Sequence, residues 1–184
     1  MHLPSRARKQ AVQTGFIWLA PIHVSFLADL HSTRRRLYAG GAVGQAVHAA
    51  TMIHKRSIVF DSALLTDPDE FRRIATHELF HFAWVRLGNP FRREWEGILN
   101  AESRRAARGE LGWSAEWRKR ELTTADRRRR SRPWREYACE SFCDTAAWLF
   151  SGARPHAEAT LAPGHALRRV EWFVTLFRTR GVAI

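Results

Sequence analysis

Two histidines stand four residues apart in His77-Glu78-Leu79-Phe80-His81, with an acid directly after the first. On a helix that spacing puts both imidazoles on one face, about 6 Å apart. There they can share one Zn2+ at Zn–N distances of about 2.0–2.1 Å. Glu78 can lean over the open side of the metal without ligating it. Its carboxylate would take a proton from a water whose pKa zinc lowers towards about 7. The plain alternative is two histidines on a helix face, one packed and one exposed. The setting weighs against it, because the motif lies inside a capped amphipathic helix directly after a strand.

A catalytic zinc needs a third protein ligand and an open fourth position. Glu136, Glu140 and Asp144 recur every fourth residue in Arg135-Glu136-Tyr137-Ala138-Cys139-Glu140-Ser141-Phe142-Cys143-Asp144. Three acids along one face of a helix repel one another. A cation beside them resolves the conflict, whereas a solvated acidic stripe would leave it to water. Both Glu136 and Glu140 have an acid four residues further on, so the spacing leaves either as the ligand.

His-Glu-x-x-His followed by a helix bearing Glu-x-x-x-Asp resembles the gluzincin branch of the zinc metallopeptidases. Glu140-Ser141-Phe142-Cys143-Asp144 carries that second motif. The resemblance implies a compact zincin-like α+β domain, with a small mixed sheet, the His-Glu-x-x-His helix and a second ligand-bearing helix. It implies a peptidase in which His77, His81 and Glu140 hold Zn2+ and Glu78 is the general base. Asp144 would then orient a ligand imidazole, and Glu136 is the rival third ligand. The metzincin pattern is excluded, because Leu87 stands where its third histidine would be. The resemblance covers the strand at 57–61 and the two helices, less than half of the chain.

Several elements must position these groups. Ser57-Ile58-Val59-Phe60-Asp61 reads as a strand. In the resemblance it forms the cleft edge that pairs with an extended peptide or protein substrate. Asp67 can cap the motif helix, with Pro68 at its first position and Glu70 as in a capping box. Phe71, Ile74, Ala75, Phe82 and Val85 give its apolar stripe, and Gly88-Asn89-Pro90 ends it. The second helix is predicted from Pro133 to about Phe150, closed by Ser151-Gly152 and Pro155. A last amphipathic helix is predicted over 165–179, with Leu167, Val170, Phe173, Val174 and Phe177 on one side. Thr14 to Phe26 suggests a strand, a break at Pro21 and a second strand or turn. Ala39 to Gly44 suggests a turn before a short helix or strand, and no phosphate-loop pattern is present. Residues 1–10 read as a loose basic start, and 91–133 as charged helices joined by loops.

The chain has 184 residues, 45% of them hydrophobic, with eight tryptophans, which excludes a disordered polypeptide. We expect one domain over 1–184, with a motif core at about 55–152. Most tryptophans are expected in the core. Cys139 and Cys143 are too few and too awkwardly spaced for a disulfide framework. They point to reduced thiols and a cytoplasmic location. The stretch from Gly15 to Leu30 is broken by Pro21, His23 and Asp29, so neither a secretory leader nor a membrane partner is expected. His23, His31, His48 and His54 read as ordinary polar residues, and Tyr137, His156 and His165 as candidates to stabilise an oxyanion.

The net charge of +12 suits polyanions. A second reading is therefore a basic, nucleic-acid-associated zincin that binds through Arg127 to Arg130 with Trp113, Trp117 and Trp134. A third is a non-catalytic zincin that binds a partner, which the intact Glu78 disfavours.

Overall fold

The structure, a computed structural model, describes residues 16–17, 19–33, 36–40, 44–154 and 156–184. Residues 1–10, Thr14, Gly41-Ala42-Val43 and Pro155 lie outside them.

The architecture is α+β, the class that the resemblance implies. Among the described residues, eight short strands, β1 (Phe16–Ile17), β2 (His23–Leu27), β3 (His31–Thr33), β4 (Arg36–Tyr38), β5 (Gln45–Ala46), β6 (Ala49–Met52), β7 (Ser57–Asp61) and β8 (Val182–Ala183), form three small sheets. The sheet that frames the site has the order β2-β7-β6. In it β7 runs parallel to β2 and antiparallel to β6. The strand at 57–61 is therefore central rather than the cleft edge, and Ile58, Val59 and Phe60 are buried. A near-continuous apolar run marks a strand covered on both faces, not an edge.

Six helices follow among the described residues: α1 (Pro68–Arg86), α2 (Gly88–Arg104), α3 (Trp113–Glu121), α4 (Thr124–Arg129), α5 (Arg132–Phe150) and α6 (Pro163–Arg180). Asp67 caps α1 as expected, accepting from the backbone of Asp69 and Glu70 at 3.1 Å. Glu70 does not complete a capping box. It forms a fork to Arg73, at 2.8 Å through Nε and 2.5 Å through Nη2. Gly88, at φ +76°, ends α1, and α2 starts there without a loop. The expected stripe on α1 is rotated slightly. Val85 is exposed, while Phe80 and Trp84 join Phe82 in the core.

Ser131 caps α5 by accepting from Trp134 N, and the helix starts at Arg132, one residue ahead of the predicted Pro133. α5 then lies against α1 and α3 with Phe142 and Cys143 fully buried. Phe142 stacks on Phe173 of α6 at 4.9 Å between ring centroids and meets Trp95 of α2 edge-on at 5.9 Å. Each such aromatic contributes roughly 1.5–3 kcal/mol by leaving water. On α6, Val170, Phe173 and Phe177 are buried as expected, but Leu167 is exposed.

One polar network crosses this core. Arg169, fully buried, forks to Glu102 at 2.9 and 2.6 Å and reaches Glu110 at 2.6 Å. Glu110 also accepts from Tyr137 at 2.6 Å and pairs with Lys119 at 3.0 Å. The network ties α2, α3, α5 and α6 to the loop before α3, which carries Gly112 to the site. No helix of the described residues is long and apolar enough to cross a membrane.

Candidate metal centre

His77 and His81 project from α1 with ring centroids 5.0 Å apart and planes nearly perpendicular. Across the interface, Glu140 of α5 places Oε2 3.2 Å from His77 Nε2 and 4.0 Å from His81 Nε2. Ligand atoms around a tetrahedral zinc with bonds of about 2.0–2.1 Å lie roughly 3.3 Å apart. The first separation meets that value, and the second needs only a small side-chain adjustment. Glu140 Oε2 is therefore placed to share a cation with His77 and, after that adjustment, with His81.

Asp144, one turn along α5, holds His77 from behind. Its Oδ1 lies 2.8 Å from His77 Nδ1, and its Oδ2 accepts from the backbone of Ala115 at 2.8 Å. His77 is left with Nε2 to offer a cation. A carboxylate on the far ring nitrogen is the usual device for fixing tautomer and orientation of a ligand histidine. Gly112 makes this approach feasible, since a Cβ there would lie 2.4 Å from Asp144 Cγ. α3 thus presents the Ala115 N–H of its first turn to a carboxylate wedged against a residue without a side chain.

Glu136 stays out of this cluster. It points to solvent, half exposed, and pairs with Arg132 at 2.7 Å. The acidic stripe is divided among separate partners: Arg132 for Glu136, His77 and Arg118 for Glu140, His77 and Ala115 for Asp144.

The second oxygen of Glu140 belongs to Arg118, whose Nη2 lies 3.2 Å from Oε1. The guanidinium sits 4.5 Å over the ring of Trp117. Burial opposes ionisation of Glu140, but the His77 hydrogen bond, His81 and Arg118 outweigh it and hold the carboxyl down at about 2. Burial likewise opposes protonation of His77, yet Asp144 and Glu140 raise it well above the ordinary imidazole range. His81 is raised to about 9 against burial, by Cys139, Glu140 and Glu78. The carboxylates of Asp144, Glu140 and Glu78 around two buried imidazoles favour positive charge in this pocket. A metal ion is one way to supply it.

Glu78 lies on the same helix face, and its Oε2 accepts from Thr51 Oγ1 of β6 at 2.6 Å. The same hydroxyl lies 3.2 Å from Glu78 O, and with one hydrogen to give, the carboxylate bond is the stronger. Above the cluster is a cleft of about 520 Å3 between β6, including Thr51, and α3, with Trp113, Trp117 and Arg118 on its wall. β6 is the edge strand beside this cleft, in the role the sequence assigns to 57–61.

A different grouping, His77, His81 and Cys143, has one donor atom from each residue, all within 4.8 Å of one another. Cys143 Sγ, however, lies 3.6 Å from His81 Nδ1, the ring nitrogen turned away from Glu140. Glu140 differs in approaching Nε2 of both rings through one oxygen.

None of the oxyanion candidates lines the cleft. Tyr137 is buried on Glu110, and His156 lies 3.8 Å from Glu70 on another face. His165 is at the start of α6. Trp134 is core, bonded through Nε1 to Glu96, so it cannot join a basic surface. The residues that sequence reasoning missed are Gly112, Ala115, Arg118, Thr51 and the two cysteines. Only Gly112, a helix breaker within the segment read as charged helices joined by loops, carries any local signal. Comparison with protein-family models, with curated proteins and with solved structures finds no match to this chain.

Proposed function

We propose that this chain is a zinc metallopeptidase in which His77, His81 and Glu140 hold the metal and Glu78 is the general base. The observation that carries the reading is the convergence of two Nε2 atoms and Glu140 Oε2 beside Glu78. Zinc bound there supplies a Lewis acid for a peptide carbonyl and lowers the pKa of a water. Glu78 accepts that water's proton, one carboxylate oxygen being steadied by Thr51. Passing the proton to the leaving amine returns Glu78 to its starting state. Asp144 keeps His77 in the tautomer that leaves Nε2 unprotonated. Arg118, on the cleft wall, takes Glu140 Oε1 and leaves Oε2 for the metal. An extended peptide or protein substrate is supported by the open side of β6, which borders the cleft. Strand addition there would use main-chain hydrogen bonds and leave specificity to the Trp113 and Trp117 wall.

The test is Glu78→Gln. It is expected to retain one equivalent of zinc and the fold, and to lose peptide hydrolysis by about 10²–10⁴-fold. Equal hydrolysis by wild type and variant would refute the base, and folded wild type that takes up no zinc would refute the enzyme. A cytoplasmic location suits the two unpaired cysteines.

A second reading draws on Arg127, Arg128 and Arg129 in the last turn of α4. With the net charge of +12 they suit a nucleic-acid partner. Binding of duplex DNA that falls steeply with salt would favour it, and binding indifferent to salt would dismiss it.

A further inference from the structure

His81 carries a second set of neighbours that the zinc reading does not use. Cys139 Sγ lies 3.5 Å from its Nδ1 and Cys143 Sγ lies 3.6 Å from the same atom. Cys139 and Cys143 are four apart on α5, so they share one helix face, as His77 and His81 do on α1. Two sulfurs and one imidazole nitrogen thus converge across the α1–α5 interface, on the side of His81 away from Glu140.

These separations match a metal polyhedron. With bonds of about 2.3 Å to sulfur and 2.0 Å to nitrogen, tetrahedral geometry puts the sulfur and nitrogen atoms roughly 3.5 Å apart. Soft thiolates with an imidazole select zinc and other thiophilic ions over magnesium or calcium. Cys143 is fully buried, but Cys139 and His81 are partly exposed, which gives an ion a way in.

We propose that Cys139, Cys143 and His81 Nδ1 form a second cation site, selective for thiophilic metal ions such as zinc or cadmium. Binding forms two metal–sulfur bonds and one metal–nitrogen bond and releases both thiol protons to solvent, with no change of oxidation state. A neutral His81 that ligates through Nδ1 keeps its proton on Nε2. The two sites therefore compete for one imidazole. That competition rests on the zinc reading above, but the thiol site does not.

The chain has only two cysteines, so a sulfur-to-cadmium charge-transfer band reports this site alone. Reduced full-length protein is titrated with cadmium, with absorbance, bound metal and sedimentation followed together. Wild type and His77→Ala are both expected to show the band at one equivalent, as monomers. The Cys139→Ser, Cys143→Ser double variant should lose it, and His81→Gln should weaken its formation at least tenfold. Circular dichroism checks that each variant is folded. The proposal is overturned if folded wild type shows no band in excess cadmium, if His81→Gln titrates like wild type, or if the band forms only in dimers. A cadmium band in wild type and His77→Ala, together with a zinc content unchanged in Glu140→Ala, would instead sink the zinc assignment alone.

Discussion

Asp144 meets His77 at 2.8 Å across the interface of α1 and α5, 67 residues apart in the chain. Its other oxygen is satisfied by Ala115 N, so the carboxylate is held from both sides before it orients the imidazole. Three separate segments thereby set the direction of one ring nitrogen.

Asp144→Asn keeps an oxygen for Ala115 but removes the anion behind His77. Zinc affinity is expected to fall about 10–100-fold, the usual cost of losing such a partner. Competition with a chromophoric chelator would measure it. An unchanged affinity would show that Asp144 serves only to anchor α3.

Gly112→Ala tests the same contact from the other side. Its Cβ would stand 2.4 Å from Asp144 Cγ, inside any normal contact. Overpacking of this kind costs about 1–3 kcal/mol, so a lower melting temperature is expected together with weaker zinc binding. Full stability would mean that the loop before α3 yields easily.

Glu140→Ala and Glu136→Ala separate the two acids that the spacing alone leaves equal. We expect zinc to be lost from the first and retained at one equivalent by the second, read by elemental analysis of purified protein. The reverse result would require α5 to turn about its axis, against the burial of Phe142 and Cys143.

Glu110 is held at about 2, because Arg169, Lys119 and Tyr137 outweigh its burial. A depressed carboxyl stabilises the fold above its ordinary value near 4.5 and loses that contribution as pH falls through 2. The amount is about 3 kcal/mol. Wild type should therefore lose stability between about pH 4.5 and 2 in acid denaturation. Glu110→Gln should be less stable at pH 7 and flatter across that range. Parallel curves would assign the acid transition to other carboxylates.

Much of the site is legible in the sequence because helix periodicity is local. The spacing of His77 and His81, the caps at Asp67 and the stop at Gly88 depend on neighbours within about one turn. The same holds for the four-residue steps from Glu136 to Asp144. The short apolar run at 57–61 and the amphipathic stretches are local signals too, and they agree with the α+β class that the resemblance implies. Errors arose where phase or burial was decided elsewhere. Val85 and Leu167 have helical spacing but fall outside the contact between helices. The strand at 57–61 became central because β2 and β6 both pair with it.

The sequence by itself therefore determined the donor types, their order and the helices that bear them. Only the tertiary structure decided which acid meets the histidines, because the rotation of α5 against α1 is set by core packing and not by spacing along the chain. It also supplied Gly112, Ala115, Arg118 and Thr51, whose roles exist only in contacts between distant segments. The two thiols behind His81 arise in the same way, since one helix supplies the sulfurs and the other the nitrogen they face.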